Sequence, residues 1–249
     1  MERFVFTNSA GDFIEISYTH EDNILKGYDG LTAAEVLPET AQGYNQQGYS
    51  LQRTRLGARY VTLEFYLRAC DIESFYYRRK RLAQVFNPLL GTGKLEYTND
   101  NSTYYLDAAV TVAPYPTEKL GTLQLFSVEL TAHDPFFYGE EQVISAEEEI
   151  VPLTNPGDVP VPFTVVFAAD TSPQIYLDDG TKIEVASGVN QQVTVKTGYG
   201  KKAAFDANGD INFNLITPDS SFFSLPTGTF NLNCGGIVTL TWKPLYAGV

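Results

Sequence analysis

The segment that most constrains the fold is DIESFYYRRKRLAQVFNP, residues 71–88, because it is the one stretch with the pattern of a long helix. Asp71 suits the N-cap, and Asn87-Pro88 ends the helix because proline disfavours the α conformation in the residue before it. We therefore predict a helix over residues 71–87, packed against the strand-like segments around it. Its apolar stripe is predicted from residues at helical spacing, namely Ile72, Phe75, Tyr76, Leu82, Ala83 and Phe86.

The clearest strand signal lies directly before this helix. In RYVTLEFYLRA, residues 59–69, apolar and polar side chains alternate, which predicts a half-buried strand. Residues 24–37 carry little signal. Beyond residue 150, strand and turn signals follow one another without a helix, and Asp179-Gly180 and Asn208-Gly209 are hairpin dipeptides because glycine takes a positive φ. This spacing predicts a β-sandwich.

A change of composition marks a boundary between two domains. Five glutamates lie within residues 140–149, and four prolines follow within the next stretch. Such a charge run is typical of a solvated linker or edge. With 249 residues the chain is long enough for two cores. We predict a first domain at 1–139, an acidic connector at 140–150 and a second domain at 151–249.

The formal net charge of −13 limits the function classes that are open to this chain. Nonspecific affinity for nucleic acid comes from neutralising phosphates, so a protein this acidic is not expected to bind DNA in that way. DNA could still pass along its surface without sticking.

We find no secretion signal and no apolar run that could span a bilayer, and we expect a soluble protein made in a cytoplasm. The distant Cys70 and Cys234 are interpreted as buried free thiols.

The residues with potential chemistry do not combine into a recognisable catalytic or metal site. His20 and His133 each neighbour a carboxylate, but no nucleophile motif accompanies them. The sequence Asp178-Asp179-Gly180 is interpreted as an exposed hairpin turn. The loop DANGD, residues 206–210, has the oxygen spacing of a calcium loop but lacks the sixth-position glycine and twelfth-position glutamate of an EF-hand. We predict no enzyme activity, no cofactor and no metal.

Two features are predicted to make contacts between subunits. The glycine-, glutamine- and tyrosine-rich run 41–50 reads as a long mobile loop or interface arm, with Tyr44 and Tyr49 as contact candidates. The second feature is the basic run of the helix, formed by Arg78, Arg79, Lys80 and Arg81. A nucleic-acid patch or nuclear signal is the alternative for this run. In an acidic protein these cations are expected to meet carboxylates, within the subunit or on the next one.

Arg79 receives a more specific prediction. It falls within the predicted apolar stripe, where an unpaired charge is costly. Two arrangements avoid this cost: the stem of Arg79 packs along the aromatic residues with its guanidinium in water, or a carboxylate holds the guanidinium. We expect the second, with Glu64 and Glu96 as the first candidates.

Several further segments, taken in order, resemble the distal tail proteins of long, flexible-tailed bacteriophages. They are RYVTLEFYLRACDIESFYYRRKRLAQVFNP, AHDPFFYG, NPGDVPVPFTVVF, PQIYLDDGTKIEV, SSFFSLPTGTFNLNC and VTLTWKPLY. The chain departs from the family pattern Leu-x-Pro-Gly-x-Asn by one extra residue between Leu225 and Asn231. The resemblance implies a mainly β fold, with an N-terminal barrel-like β domain carrying one packed α-helix and a C-terminal galectin-like β-sandwich. At this length there is no room for the carbohydrate-binding insertions of some members.

The same resemblance implies a function and a set of partners. It implies a structural hub at the virion tail tip: a homo-hexameric ring that joins the tail tube to the tip or baseplate and encloses a channel through which DNA passes without specific binding. The implied partners are the tail tube protein, a tail-tip or tail-associated lysin protein, and a receptor-binding or side-fibre protein, without membrane insertion. The alternative is a lectin-like module for a cell-surface glycan. That alternative needs exposed aromatic residues, and Trp242 lies in an alternating strand that predicts a core position.

Overall fold

A computed structural model describes residues 2–147, 150–169 and 173–249, with only the backbone described at 118–120. The chain divides into two compact units. Unit 1 comprises Met1–Tyr138 and Ala247–Val249, and unit 2 comprises Gly139–Tyr246. The last three residues therefore belong to unit 1 and not to the second domain in which the sequence placed them.

Unit 1 contains a closed β-barrel and a separate two-stranded hairpin. Its strands are β1 (Arg3–Thr7), β2 (Phe13–Ser17), β3 (Asn23–Asp29), β4 (Val36–Ala41), β5 (Ser50–Leu56), β6 (Arg59–Arg68), β7 (Thr92–Thr98), β8 (Thr103–Leu120), β9 (Leu123–Ala132) and β10 (Phe137–Tyr138). The barrel order is β8-β7-β1-β2-β3-β6-β9, and β10 lies beside β8. The long strand β8 closes the barrel, because its first part pairs with β7 and its second part with β9.

Alternating side chains of these strands fill the barrel. In β6, Val61, Leu63, Phe65 and Leu67 are all buried, while the residues between them are partly or fully exposed. This confirms the predicted half-buried strand at 59–69. The mainly β fold with one α-helix is confirmed for the described part of the chain as well.

Helix α1 (Ile72–Val85) is followed by a short 3-10 helix (Pro88–Leu90). The carboxylate of Asp71 caps its start by accepting the backbone N–H of Ser74 at 2.8 Å, which also holds the pKa of Asp71 below its usual value. Just after its end, Phe86 is fully buried and stacks on Phe6 with 5.0 Å between ring centroids.

The buried face of α1 differs from the predicted stripe. Phe75, Leu82 and Val85 are buried, whereas Ile72, Tyr76 and Ala83 are exposed. The prediction overlooked Val85, which turns the buried face away from Tyr76 and towards the side on which Arg78 lies.

A polar cluster in unit 1 joins the chain start to two strands. The hydroxyl of Tyr97 donates to Oε1 of Glu2 at 3.0 Å, and the hydroxyl of Tyr28 donates to the same oxygen. Burial and the bond to Glu2 raise the pKa of Tyr97 to about 12. The bond to Glu2 and burial also raise the pKa of Tyr28.

This cluster predicts a loss of stability in alkaline solution. Unfolded tyrosines lose their protons from about pH 10, whereas Tyr97 keeps its proton until about pH 12 in the folded chain. The contribution of the raised pKa is therefore complete below pH 10 and is lost as the pH rises from 10 towards 12. Urea melts at several pH values between about 9 and 11.5 should show a shallower alkaline loss for Glu2→Gln than for the wild type. The exposed Glu21→Gln is the control, and equal slopes for both variants contradict this prediction.

Unit 2 is a β-sandwich. Its strands are β11 (Gln142–Glu147), β12 (Ile150–Asn155), β13 (Phe163–Phe167), β14 (Gln174–Leu177), β15 (Lys182–Glu184), β16 (Val193–Lys196), β17 (Ala203–Phe205), β18 (Gly228–Gly235) and β19 (Ile237–Trp242), with a 3-10 helix at Phe213–Leu215. The short strand β20 (Leu245–Tyr246) belongs to neither sheet of the sandwich. One sheet has the order β11-β19-β13-β16-β17 and the other β12-β18-β14-β15. Trp242 is buried, as the sequence predicted.

The predicted acidic connector is mostly strand. Gln142–Glu147 pairs with β19 in continuous antiparallel register, and Ile150–Asn155 pairs with β18. Residues 148 and 149 lie outside the described part of the chain. The glutamate-rich run therefore supplies an edge strand, because its outward side chains suit a strand that is paired on one side only.

Two smaller expectations have different outcomes. The Asp178-Asp179-Gly180 turn is confirmed, since the N–H of Gly180 donates to the carbonyl of Leu177 at 3.0 Å and its φ is +84°. Of the two cysteines, Cys234 is buried but Cys70 is exposed, so the prediction of a buried thiol is wrong for Cys70. No helix in the described ranges is long and apolar enough to cross a membrane.

Candidate functional site

The strands β4 and β5 form a hairpin that belongs to neither the barrel nor the sandwich. They pair only with each other, from Val36↔Leu56 to Ala41↔Ser50. We call residues 36–56 the arm. An isolated two-stranded ribbon is at best marginally stable in water, so the arm has the character of a segment that packs against something else. The predicted loop at 41–50 is thus the tip of this arm and not a free-standing loop.

The arm exposes apolar side chains at its base and near its tip. Tyr44 and Tyr49, the contact candidates of the sequence, are 98% and 71% exposed. Val36, Leu37 and Leu51 are exposed as well. Several exposed apolar side chains on one projecting segment are typical of an interaction site.

Ion pairs hold the two strands of the arm together. Glu39 on β4 pairs with Arg55 on β5 at 2.8 Å and with Arg53 beside it. Exposed pairs of this kind contribute little to stability. The two arginines together neutralise the carboxylate of Glu39 and leave the arm with a net charge of +1. The surface of the arm therefore combines apolar side chains with one positive charge.

The basic run of α1 is divided by the structure. Arg78 is half-buried, pairs with Asp22 and donates to the carbonyl of Arg68 at 3.4 Å. The other members, Arg79, Lys80 and Arg81, are exposed. Within the described residues, none of these three makes an ion pair.

The expectation of a buried Arg79 held by a carboxylate is wrong within the subunit. Arg79 is exposed, and Glu64, one of its suggested partners, pairs instead with Lys26 at 3.2 Å. The pattern error has a simple cause. The buried face of α1 turns towards Arg78, so Arg78 and not Arg79 is the half-buried arginine that pairs with a carboxylate.

A cleft of about 640 Å³ lies between α1 and the strands β2 and β3. Tyr77, Arg81 and Phe13 line it and are exposed, so its surface is both aromatic and charged. His20 also lines it, but its Nδ1 accepts the backbone N–H groups of Asp22 and Asn23, both at 3.0 Å. This histidine therefore holds a turn in place, which is a structural role.

The DANGD loop closes on itself. Oδ1 of Asp206 accepts the backbone N–H groups of Asp210 and Asn208, both at 2.9 Å, and these bonds hold the pKa of Asp206 below its usual value. Its carboxylate is thus used by its own backbone. In the part of the chain that is described, no group of three or more His, Cys, Asp or Glu residues is placed to hold a metal ion.

The arm and the outer face of α1 are therefore the candidate interface of unit 1. Tyr44 and Tyr49 lie on the first surface and Arg79, Lys80 and Arg81 on the second, while Arg78 serves the subunit itself. The strands of the arm had no signal in the sequence. Exposure on both faces removes the alternation of apolar and polar residues by which a strand is recognised.

Two family models match the chain, one in each unit. Residues 14–132 match the phage tail protein RIFT-related domain, and residues 156–246 match the C-terminal domain of siphovirus-type tail components. No curated protein shows significant sequence similarity to the chain.

Solved structures share the fold at low sequence identity. The crystal structure of the Dit protein (gp19.1) of phage SPP1, described as a paradigm of the hub adsorption apparatus in phages that infect Gram-positive bacteria, is 15% identical with a TM-score of 0.72. That alignment covers 97% of this chain and 98% of the SPP1 chain. A chain of the phage p2 baseplate, in its activated conformation with calcium, is 12% identical with a TM-score of 0.53 and coverage of 100% and 99%. The strontium form gives 12% identity, a TM-score of 0.54 and full coverage of both chains.

Three observations agree with the family that the sequence resembles. They are the order of the two matched domains, the barrel with its packed helix, and the sandwich that follows it. The chain belongs to the siphovirus-type distal tail proteins.

Proposed function

We propose that this chain is the hub of a phage tail tip and assembles into a hexameric ring around a channel for DNA. The observation that carries the proposal is the arm, an exposed hairpin with apolar side chains at its base and tip that pairs with no other strand in the described residues. A contact in which the arm of one copy lies on unit 1 of the next is heterologous, and such contacts close into rings when the rotation between copies permits. The SPP1 protein of the same fold is described as a hub, which supports the hub role in this proposal.

The outer face of α1 supplies the electrostatic part of this contact. Arg79, Lys80 and Arg81 carry three positive charges in a chain whose net charge is −13. Identical acidic subunits repel one another, so ring formation requires local contacts of opposite charge. In the proposed ring these cations meet carboxylates of the neighbouring copy.

The proposal also assigns partners and a location. Unit 1 forms the ring between the tail tube protein and a tail-tip or tail-associated lysin protein, while unit 2 is available to a receptor-binding or side-fibre protein. The protein is made in the host cytoplasm and resides at the virion tail tip. The acidic composition supports a channel through which DNA moves without binding.

The mass of the purified protein in solution tests this proposal. We expect native mass spectrometry and negative-stain images to show rings of the wild type. The triple variant Tyr44→Ser/Tyr49→Ser/Leu51→Ser should remain monomeric, because it removes apolar area that only an assembly buries. The same substitution at Tyr199, which is fully exposed in unit 2, is the control and should leave the ring intact. A monomeric wild type contradicts the proposal, and so does a triple variant that assembles normally.

A further inference from the structure

The lysines of unit 2 are unevenly distributed. Unit 2 has five lysines and no arginine. Two of them are neutralised, since Lys182 pairs with Glu184 at 2.7 Å and Lys243 with Glu141 at 3.6 Å. The other three, Lys196, Lys201 and Lys202, lie together at the end of the hairpin formed by β16 and β17.

We propose that this hairpin end binds an anionic carbohydrate polymer. We define the tip cluster as Lys196, Tyr199, Lys201 and Lys202. Within the described residues the three lysines make no ion pair. The ammonium groups of Lys201 and Lys202 are therefore available to an external anion, while that of Lys196 lies over the ring of Phe205. The inference does not depend on ring assembly.

The backbone displays the tip cluster in a defined conformation. The N–H of Lys201 donates to the carbonyl of Gly198 at 2.9 Å, and Gly200 has a φ of +70°, which together form a tight turn with Tyr199 at its apex. Thr197 anchors the base of the turn to Phe163. Its buried hydroxyl accepts the N–H of Phe163 at 2.9 Å and donates to the carbonyl of the same residue at 3.2 Å.

Tyr199 provides an aromatic surface for a sugar ring. It is 99% exposed, whereas Trp242, the single tryptophan, is buried. An aromatic ring with one polar end can pack against the apolar face of a sugar while its hydroxyl stays in water. The exposed ring of Tyr199 therefore offers the aromatic surface that a sugar needs, which the buried Trp242 cannot offer.

The residue types favour a flexible polyanion over a folded protein partner. Lysine is depleted in the centres of protein interfaces, where arginine and tyrosine are enriched. A lysine ammonium is a point charge on a mobile stem, which suits anionic groups whose spacing is not fixed. Lys196 is the least mobile of the three, because its ammonium lies 5.1 Å from the centre of the Phe205 ring.

The acidity of the rest of the chain does not prevent this contact. At physiological ionic strength charges are screened over roughly 8–10 Å, so an anionic group at the tip is governed mainly by the nearest charges. The turn itself offers the two positive charges of Lys201 and Lys202, and Lys196 adds a third at the base of the turn.

Binding of defined polymers to the full-length protein tests the inference. The anionic probes are polygalacturonate, which carries carboxylates, and yeast phosphomannan, which carries phosphates. Dextran is the neutral sugar control and inorganic polyphosphate the control without sugar. We expect at least one anionic polysaccharide to bind, more weakly as salt rises, and dextran not to bind. The stronger of the two anionic polysaccharides identifies the anion that the site prefers.

Matched variants locate the site. Lys201→Gln/Lys202→Gln should weaken binding about thirtyfold, and Tyr199→Ala should weaken polysaccharide binding several-fold without affecting polyphosphate. Lys182→Gln/Lys243→Gln removes the same number of charges from paired positions and should leave the affinity unchanged. The inference is overturned if neither anionic polysaccharide binds, if dextran binds equally, if the tip variants bind normally, or if polyphosphate binds as tightly as the polysaccharides. Because the tip variants should form rings like the wild type, the ring proposal succeeds or fails separately.

Discussion

Replacing Arg59 with methionine is expected to destabilise unit 1 by about 3–5 kcal/mol. The side chain of Arg59 is completely buried, and its guanidinium is shared among three parts of the chain. Nε donates to the carbonyl of Pro135 at 2.7 Å, Nη1 donates to Gly30 and Leu31 at 2.7 and 2.9 Å, and Nη2 donates to Ala247. Methionine fills much of the space but leaves these carbonyl oxygens without donors.

The matched control is Arg79→Met, which removes an exposed arginine from the same unit and should cost about 0.5 kcal/mol or less. Arg59→Lys should fall between the two, because one ammonium cannot reproduce the planar fork that reaches several carbonyls. Urea denaturation of the three variants provides the comparison. Similar losses for Arg59→Met and Arg79→Met would show that the buried guanidinium contributes nothing beyond its volume.

Replacing Gly30 with alanine is the second substitution with a large expected effect. Gly30 has a φ of +90°, and a methyl group on it would overlap with the carbonyl oxygen of Tyr60. Backbone cannot move aside as the end of a side chain can, so strand β6 would have to shift. We expect a loss of about 3 kcal/mol or more in urea melts.

Gly11→Ala is the control for the backbone conformation alone. Gly11 has a φ of +88°, nearly the same as that of Gly30, but no atom lies within 4 Å of a methyl group placed there. We expect it to cost about 1 kcal/mol, so the difference between the two alanine variants measures the overlap with Tyr60. A Gly30 variant as stable as the Gly11 variant contradicts the prediction.

The two predictions are coupled, because Gly30 supplies one of the carbonyls that Arg59 binds. The double variant Arg59→Met/Gly30→Ala should therefore lose less stability than the two single losses added together. Strict additivity would indicate that the turn at Gly30 and the buried guanidinium act independently.

Local patterns were sufficient for several elements of this protein. The N-cap at Asp71 and the helix after it, the alternation of β6 and the tight turn at Gly180 all depend on residues a few positions apart. The interactions that produce them are equally local, so periodicity, capping and turn chemistry predict them. The order of short motifs along the chain also indicated the family.

Other features fail to appear in local patterns because they depend on a surface that another segment provides. The sequence marked the residues of α1 as amphipathic, but the direction of its buried face depends on what lies beneath it, which is why Arg78 and not Arg79 is half-buried. The arm and the edge strand β11 lack a clean alternation because few of their side chains are buried.

By itself, then, the sequence determined the mainly β class, the helix, the main turns and the tail-protein family, since these follow from short-range spacing and motif order. Only the tertiary structure decided how the barrel closes, since β8 must pair with both β7 and β9. It alone brought Arg59 to the carbonyl of Ala247, 188 positions further along the chain. The physical reason is that burial and hydrogen bonding between distant segments depend on the path of the whole backbone, which no local pattern of residues encodes.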